Sequence, residues 1–89
     1  MRVFPVAHIE IDDVWVAVIF TDSELQPNDA ALRECAQKAG LRGSVVIMWK
    51  DTTGRKRFIS EPAQRPFLES VRYDQLYAQR NRAINFPHP

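Results

Sequence analysis

Hydrophobic positions along the chain fall into short runs of β-branched and aromatic residues, separated by stretches with helical spacing. Val6 to Ile11 and Val14 to Phe20 are two such runs, and Asp12-Asp13 between them makes a two-residue turn, so the pair reads as a hairpin of two strands. Pro5 lacks an N–H, which places the first strand at a sheet edge or makes it begin after Pro5. With this turn Ile11 faces Val14, Ile9 faces Val16 and Ala7 faces Val18, and cross-strand partners share a face. One face then carries Ala7, Ile9, Ile11, Val14, Val16, Val18 and Phe20 and is the expected core face. The other carries Val6, His8, Glu10, Trp15, Ala17 and Ile19 and is mixed.

Asn28 or Asp29 can cap a helix that runs to Ala39 and stops at Gly40, with Leu32, Cys35, Ala36 and Ala39 on one stripe. Ser44 to Trp49 is a third strand, apolar on both faces. Asp51 to Gly54 is a four-residue loop, and Arg55 to Ser60 returns as a fourth strand with Ile47 opposite Phe58 and Met48 opposite Arg57. Basic residues on that strand suit an exposed edge. Glu61 to Pro66, broken by two prolines, is a connection with at most one helical turn. Beyond it Tyr73, Leu76, Tyr77, Ala83 and Ile84 share a helical stripe, while Phe67, Leu68 and Val71 lie on another arc, which puts a break near Arg72.

The order is β-β-α-β-β-α: an α+β domain over residues 1–85 with a four-stranded mixed sheet, helices mainly on one face, and a tail at 86–89. A right-handed crossover makes the second and third strands parallel, and two flanking hairpins give the sheet order 1-2-3-4. A circularly permuted ferredoxin-like order, 1-2-4-3, is the alternative.

Composition narrows the class. The 89 residues are 45% hydrophobic and 26% charged, enough for one small domain with its own core. A single cysteine excludes an internal disulfide framework. The longest apolar run, Val14 to Phe20, is far short of the roughly 20 residues of a membrane-spanning helix, and the N-terminus makes a poor signal peptide. The expectation is a cytoplasmic protein. Net charge is +1, but residues 1–30 carry one basic and six acidic side chains while residues 31–89 carry eleven basic and five acidic. Such an asymmetry favours an anionic partner or head-to-tail association.

No CxxC, HExxH, GxGxxG or phosphate-loop pattern is present, so no cofactor, metal or catalytic residue is assigned. Cys35, on the apolar helix stripe, reads as a core residue. Three constellations remain. His8 and Glu10 share a strand face with Trp15, and a carboxylate beside an imidazole and an indole can hold a small ligand or serve a reaction. Lys50, Arg55, Lys56 and Arg57 form a basic hairpin interleaved with Trp49 and Phe58, a combination suited to single-stranded nucleic acid. Lastly, Val6, Trp15, Ile19, Met48 and Ile59 make an apolar sheet face that the helices leave open, of the kind that joins two copies. The expected function is a small non-catalytic binding or regulatory module, homodimeric through that face. Nucleic-acid binding at the basic hairpin, or a small-ligand or enzymatic site around His8, are the alternatives.

Overall fold

A computed structural model describes residues 2–22 and 29–86 of the chain. The elements run β1 (Arg2–Ile11), β2 (Val14–Phe20), α1 (Asp29–Lys38), β3 (Ser44–Lys50), β4 (Lys56–Ile59), a 3-10 turn at Pro62–Gln64, α2 (Arg65–Ser70), α3 (Tyr73–Tyr77) and β5 (Arg82–Phe86). Asn28 as a helix cap and residues 87–89 lie outside the described residues.

Asp12 and Asp13 have φ of 50° and 65°. A tight hairpin turn of this twist needs positive φ at both central positions, which aspartate tolerates better than most residues. The turn fixes the register: Ile11 pairs with Val14, Ile9 with Val16, Ala7 with Val18 and Val6 with Ile19, as the sequence predicts. At the end of α1, Gly40 adopts φ +78°, its N–H donates to Gln37 at 3.0 Å and that of Leu41 to Ala36 at 3.0 Å. This paired closure turns the chain back and buries Leu41 beside Ala36.

The five strands form one mixed sheet in the order β4-β3-β2-β1-β5. The predicted 1-2-3-4 order holds for the first four strands, with β2 and β3 parallel. The permuted order is not the one found. The fifth strand is the addition: residues 82–86 pair antiparallel with β1, so β1 is internal and Phe86 belongs to the domain rather than to a tail. Asn81 N–H donates to Val6 O, and the Asn81 side chain bonds both the N–H and the C=O of His8. Val6 and His8 therefore aim their main chains at β5, and alternation aims that of Pro5 at the opposite side. There the β2 pairing has already ended at Ile19, so the missing N–H of Pro5 removes no ladder bond.

The helices do not gather on one face. α1 covers Phe4, Val6, Ala17, Ile19, Val45, Ile47 and Ile84, while α2 and α3 cover Ala7, Val16, Val18, Phe20, Val46 and Met48 on the other. The parallel register explains why: it pairs Val18 with Val46 and Phe20 with Met48, so Val46 and Met48 lie opposite Val6 and Ile19 rather than beside them. Strand β3 is apolar on both faces because both are buried. Each large side chain fully enclosed here, such as Ile19, Leu32, Ile47, Leu68 or Leu76, contributes about 1.5–3 kcal/mol by leaving water.

Candidate functional site

His8 and Trp15 are diagonal neighbours on one face of the hairpin, paired to Ala17 and Glu10 respectively, with ring centroids 4.7 Å apart. Both residues are in contact with the loop between α1 and β3. The Arg42 N–H donates to His8 Nε2 at 3.0 Å, and the Arg42 carbonyl lies 3.3 Å from the same nitrogen. Gly43, next in the chain, packs so closely on Trp15 that a Cβ there would stand 1.9 Å from the Trp15 carbonyl oxygen. The pair thus clasps the loop between α1 and β3. An imidazole nitrogen that already accepts a main-chain N–H is not open to a substrate proton on that side. Glu10 is exposed, with Trp15 as its cross-strand partner. Among the described residues no cluster of three or more His, Cys, Asp or Glu side chains is suited to a metal.

The basic hairpin is built differently from the expectation. Its register is Ile47 with Ile59, Met48 with Phe58, Trp49 with Arg57 and Lys50 with Lys56. Asp51 causes this one-residue shift. Its Oδ1 accepts the Thr53 N–H (2.9 Å), the Thr53 hydroxyl (2.6 Å) and the Arg55 N–H (3.0 Å), while its own N–H donates to Arg55 O. The loop therefore closes around Arg55 as well, and a one-residue slip exchanges every β4 side chain between faces. Phe58 and Lys56 turn toward α2. The donors, the Thr53 hydroxyl first, hold the Asp51 carboxyl well below the usual carboxylate range.

Most of these cations are already engaged. Lys56 Nζ donates to the carbonyls of Leu68, Glu69 and Val71 and so closes the C-terminal end of α2. Arg57 Nε donates to Asp51 at 3.1 Å. Lys50 Nζ lies 3.4 Å from Asp74 and 4.7 Å from the Tyr73 ring centroid. Tyr73 and Tyr77 stack 5.7 Å apart, both edge-on to Phe20, and Arg80 lies 3.9 Å above Tyr77. Burial raises the Tyr73 phenol above its ordinary pKa.

The expected open sheet face is not open. Val6 and Ile19 are enclosed under α1 and Met48 under α2 and α3, each with no exposed surface. Trp15 and Ile59 keep 37% exposure at the margins. What lies open is the β5 side of the sheet. Val3 is 61% exposed, the highest among the large apolar side chains of the described residues, and it pairs in register with Asn85. A shallow groove beside β5 is lined by Val3, Pro5, Arg80, Asn81, Arg82 and Ala83. Across the strand a second groove is lined by Cys35, Lys38, Ala39, Ala83, Ile84 and Asn85. Arg82 donates one N–H to Ala39 O at 2.9 Å, closing the last turn of α1.

Because Val6 and His8 face β5, the N–H and C=O groups of Ala83 and Asn85 point the other way, off the edge of the sheet. The sequence offered one faint signal for this strand, the alternation of Ile84 and Phe86 with polar or small neighbours, which the helical stripe through Tyr73 and Leu76 overrode. No family model, no curated protein and no solved structure matches this chain.

Proposed function

We propose that this chain is a small non-catalytic binding module that works by strand addition at the outer edge of β5. One observation carries the reading: with both sheet faces roofed by the chain's own helices, β5 offers outward main-chain groups at Ala83 and Asn85 beside the exposed Val3. An extended segment laid along such an edge gains main-chain hydrogen bonds, and its alternate side chains reach the flanking grooves. The opposite edge is poorly suited. Strand β4 has only four residues, and its Lys56 and Arg57 are committed to the end of α2 and to Asp51. Self-association, expected from the sequence through a sheet face, is on this reading an edge-to-edge pairing of two β5 strands.

The test is an amide NMR titration of the labelled chain. The ligands are hexapeptides in which Val alternates with Glu, with Gln or with Lys, and a dilution series covers the second copy. At least one of these is expected to shift and protect the Ala83 and Asn85 amides. Ala83→Pro should abolish the effect with the fold intact, because among the described residues that N–H has no partner within the sheet and proline is tolerated at such a position. If nothing perturbs these amides up to millimolar concentration, strand addition at β5 is wrong.

A further inference from the structure

Strand β5 differs from an ordinary sheet edge in the charge of its surroundings. The groove on one side includes Arg80 and Arg82, and the groove on the other includes Lys38; among the described residues neither lining contains a carboxylate. Arg80 has its guanidinium carbon 3.9 Å from the Tyr77 ring centroid, a cation–π contact that uses the ring face and not the N–H donors of the guanidinium. Arg82 gives one of its five donors to Ala39 O and keeps the rest. Lys38 is tied to Glu34 at 3.2 Å on the exposed surface of α1, a pairing weak enough to exchange. Between these cations lies an apolar shelf of Val3, Pro5 and Ala83.

We infer that the partner of β5 is an extended acidic peptide segment whose apolar residues alternate with aspartate or glutamate. The inference rests on the strand-addition reading and adds the chemistry of the occupant. Main-chain groups at Ala83 and Asn85 set the register of the incoming strand. Its apolar side chains fall on Val3, Pro5 and Ala83, its alternate carboxylates meet Arg82 on the α1 side of the sheet, and Arg80 adds positive charge along the apolar shelf. A second copy of β5 is a poorer occupant, because it brings another Arg80, Arg82 and Lys38 to an edge that already holds these cations. Single-stranded nucleic acid supplies negative charge but lacks the alternating donors and acceptors that a strand edge reads.

The decisive measurement compares four probes in the same NMR titration at low salt: the hexapeptides alternating Val with Glu, Gln or Lys, and a ten-residue oligothymidylate. The Glu peptide is expected to bind at least fivefold more tightly than the Gln peptide, and the Lys peptide more weakly than both. Raising the ionic strength should narrow the spread. Arg80→Glu, which removes no contact but the one over Tyr77, should weaken the Glu peptide by about five- to tenfold and favour the Lys peptide. Equal affinity for the Glu and Gln peptides, with Ala83 and Asn85 still perturbed, overturns the acidic partner and leaves strand addition standing. Silence at those two amides with every probe overturns both. Saturation of the edge by self-pairing before any peptide binds, or tighter binding of the oligothymidylate at Arg80 and Arg82, replaces the acidic peptide with a second copy or a nucleic acid.

Discussion

Replacing Gly43 with alanine tests the clasp between the β1–β2 hairpin and the loop before β3. Gly40, Gly43 and Gly54 have nearly the same positive φ, 78°, 79° and 82°. An alanine at any of them meets the same backbone cost of about 1–2 kcal/mol. They differ in surroundings. A Cβ at Gly40 or Gly54 meets nothing within 4 Å, whereas at Gly43 it would stand 1.9 Å from Trp15 O and 2.7 Å from Trp15 C. To reach even a 3.0 Å contact the two backbones must part by 3.0 − 1.9 = 1.1 Å. They meet where the β2–β3 ladder starts, at Val16 with Ser44, so the separation strains that pairing and pulls the Arg42 N–H from His8 Nε2. Forced overpacking adds about 1–3 kcal/mol to the backbone term. Gly43→Ala should therefore cost about 2–5 kcal/mol and Gly40→Ala about 1–2 kcal/mol. For a domain of this size the total stability is of order 5–13 kcal/mol, so the first change removes a large share of it. Urea unfolding with equal m-values measures the difference, and the Arg42 amide shift reports the clasp directly. If the two variants agree within about 1 kcal/mol, the close packing of Gly43 on Trp15 is not what holds the loop.

Two further substitutions probe the basic hairpin as structure. Lys56→Met keeps the aliphatic stem but strips the ammonium from the carbonyls of Leu68, Glu69 and Val71, and should cost about 2–3 kcal/mol in urea unfolding while Arg55→Met stays within about 0.5 kcal/mol. Asp51→Asn should destabilise the protein at neutral pH. A carboxyl held low in the folded chain contributes stability above its unfolded value of about 3.9 and loses it as pH falls toward the folded value, so the gap between wild type and variant should shrink by pH 3. A gap that is constant between pH 7 and pH 3 would show that the Asp51 charge does not hold the loop.

Much of the fold was legible in the sequence because the governing interactions are local. The β1–β2 register follows from a two-residue turn whose aspartates accept positive φ, and the end of α1 from Gly40 and Leu41. The break between α2 and α3 at Val71–Arg72 follows from two apolar arcs that no single helix can point the same way. The same register places His8, Glu10 and Trp15 on one face, with Trp15 opposite Glu10.

Tertiary structure decided the rest. Which face Val46 and Met48 share depends on the parallel register between β2 and β3, set across α1 rather than by any turn. That register buries Val6, Ile19 and Met48 on opposite faces and removes the sheet face expected to join two copies. The β4 register hinges on Asp51, whose side chain draws Arg55 into the loop. Strand β5 is the sharpest case. Five residues with Ala83 and Ile84 on a helical stripe do not announce a strand, and the segment becomes one because β1 offers it unpaired main-chain groups, with Asn81 and Arg82 fastening it to His8 and the end of α1. Local pattern determined where the chain turns and which residues seek burial, since those depend on neighbours in sequence. Only the assembled sheet determined which edge stays open, since an edge is defined by the strand that is not there to pair with it.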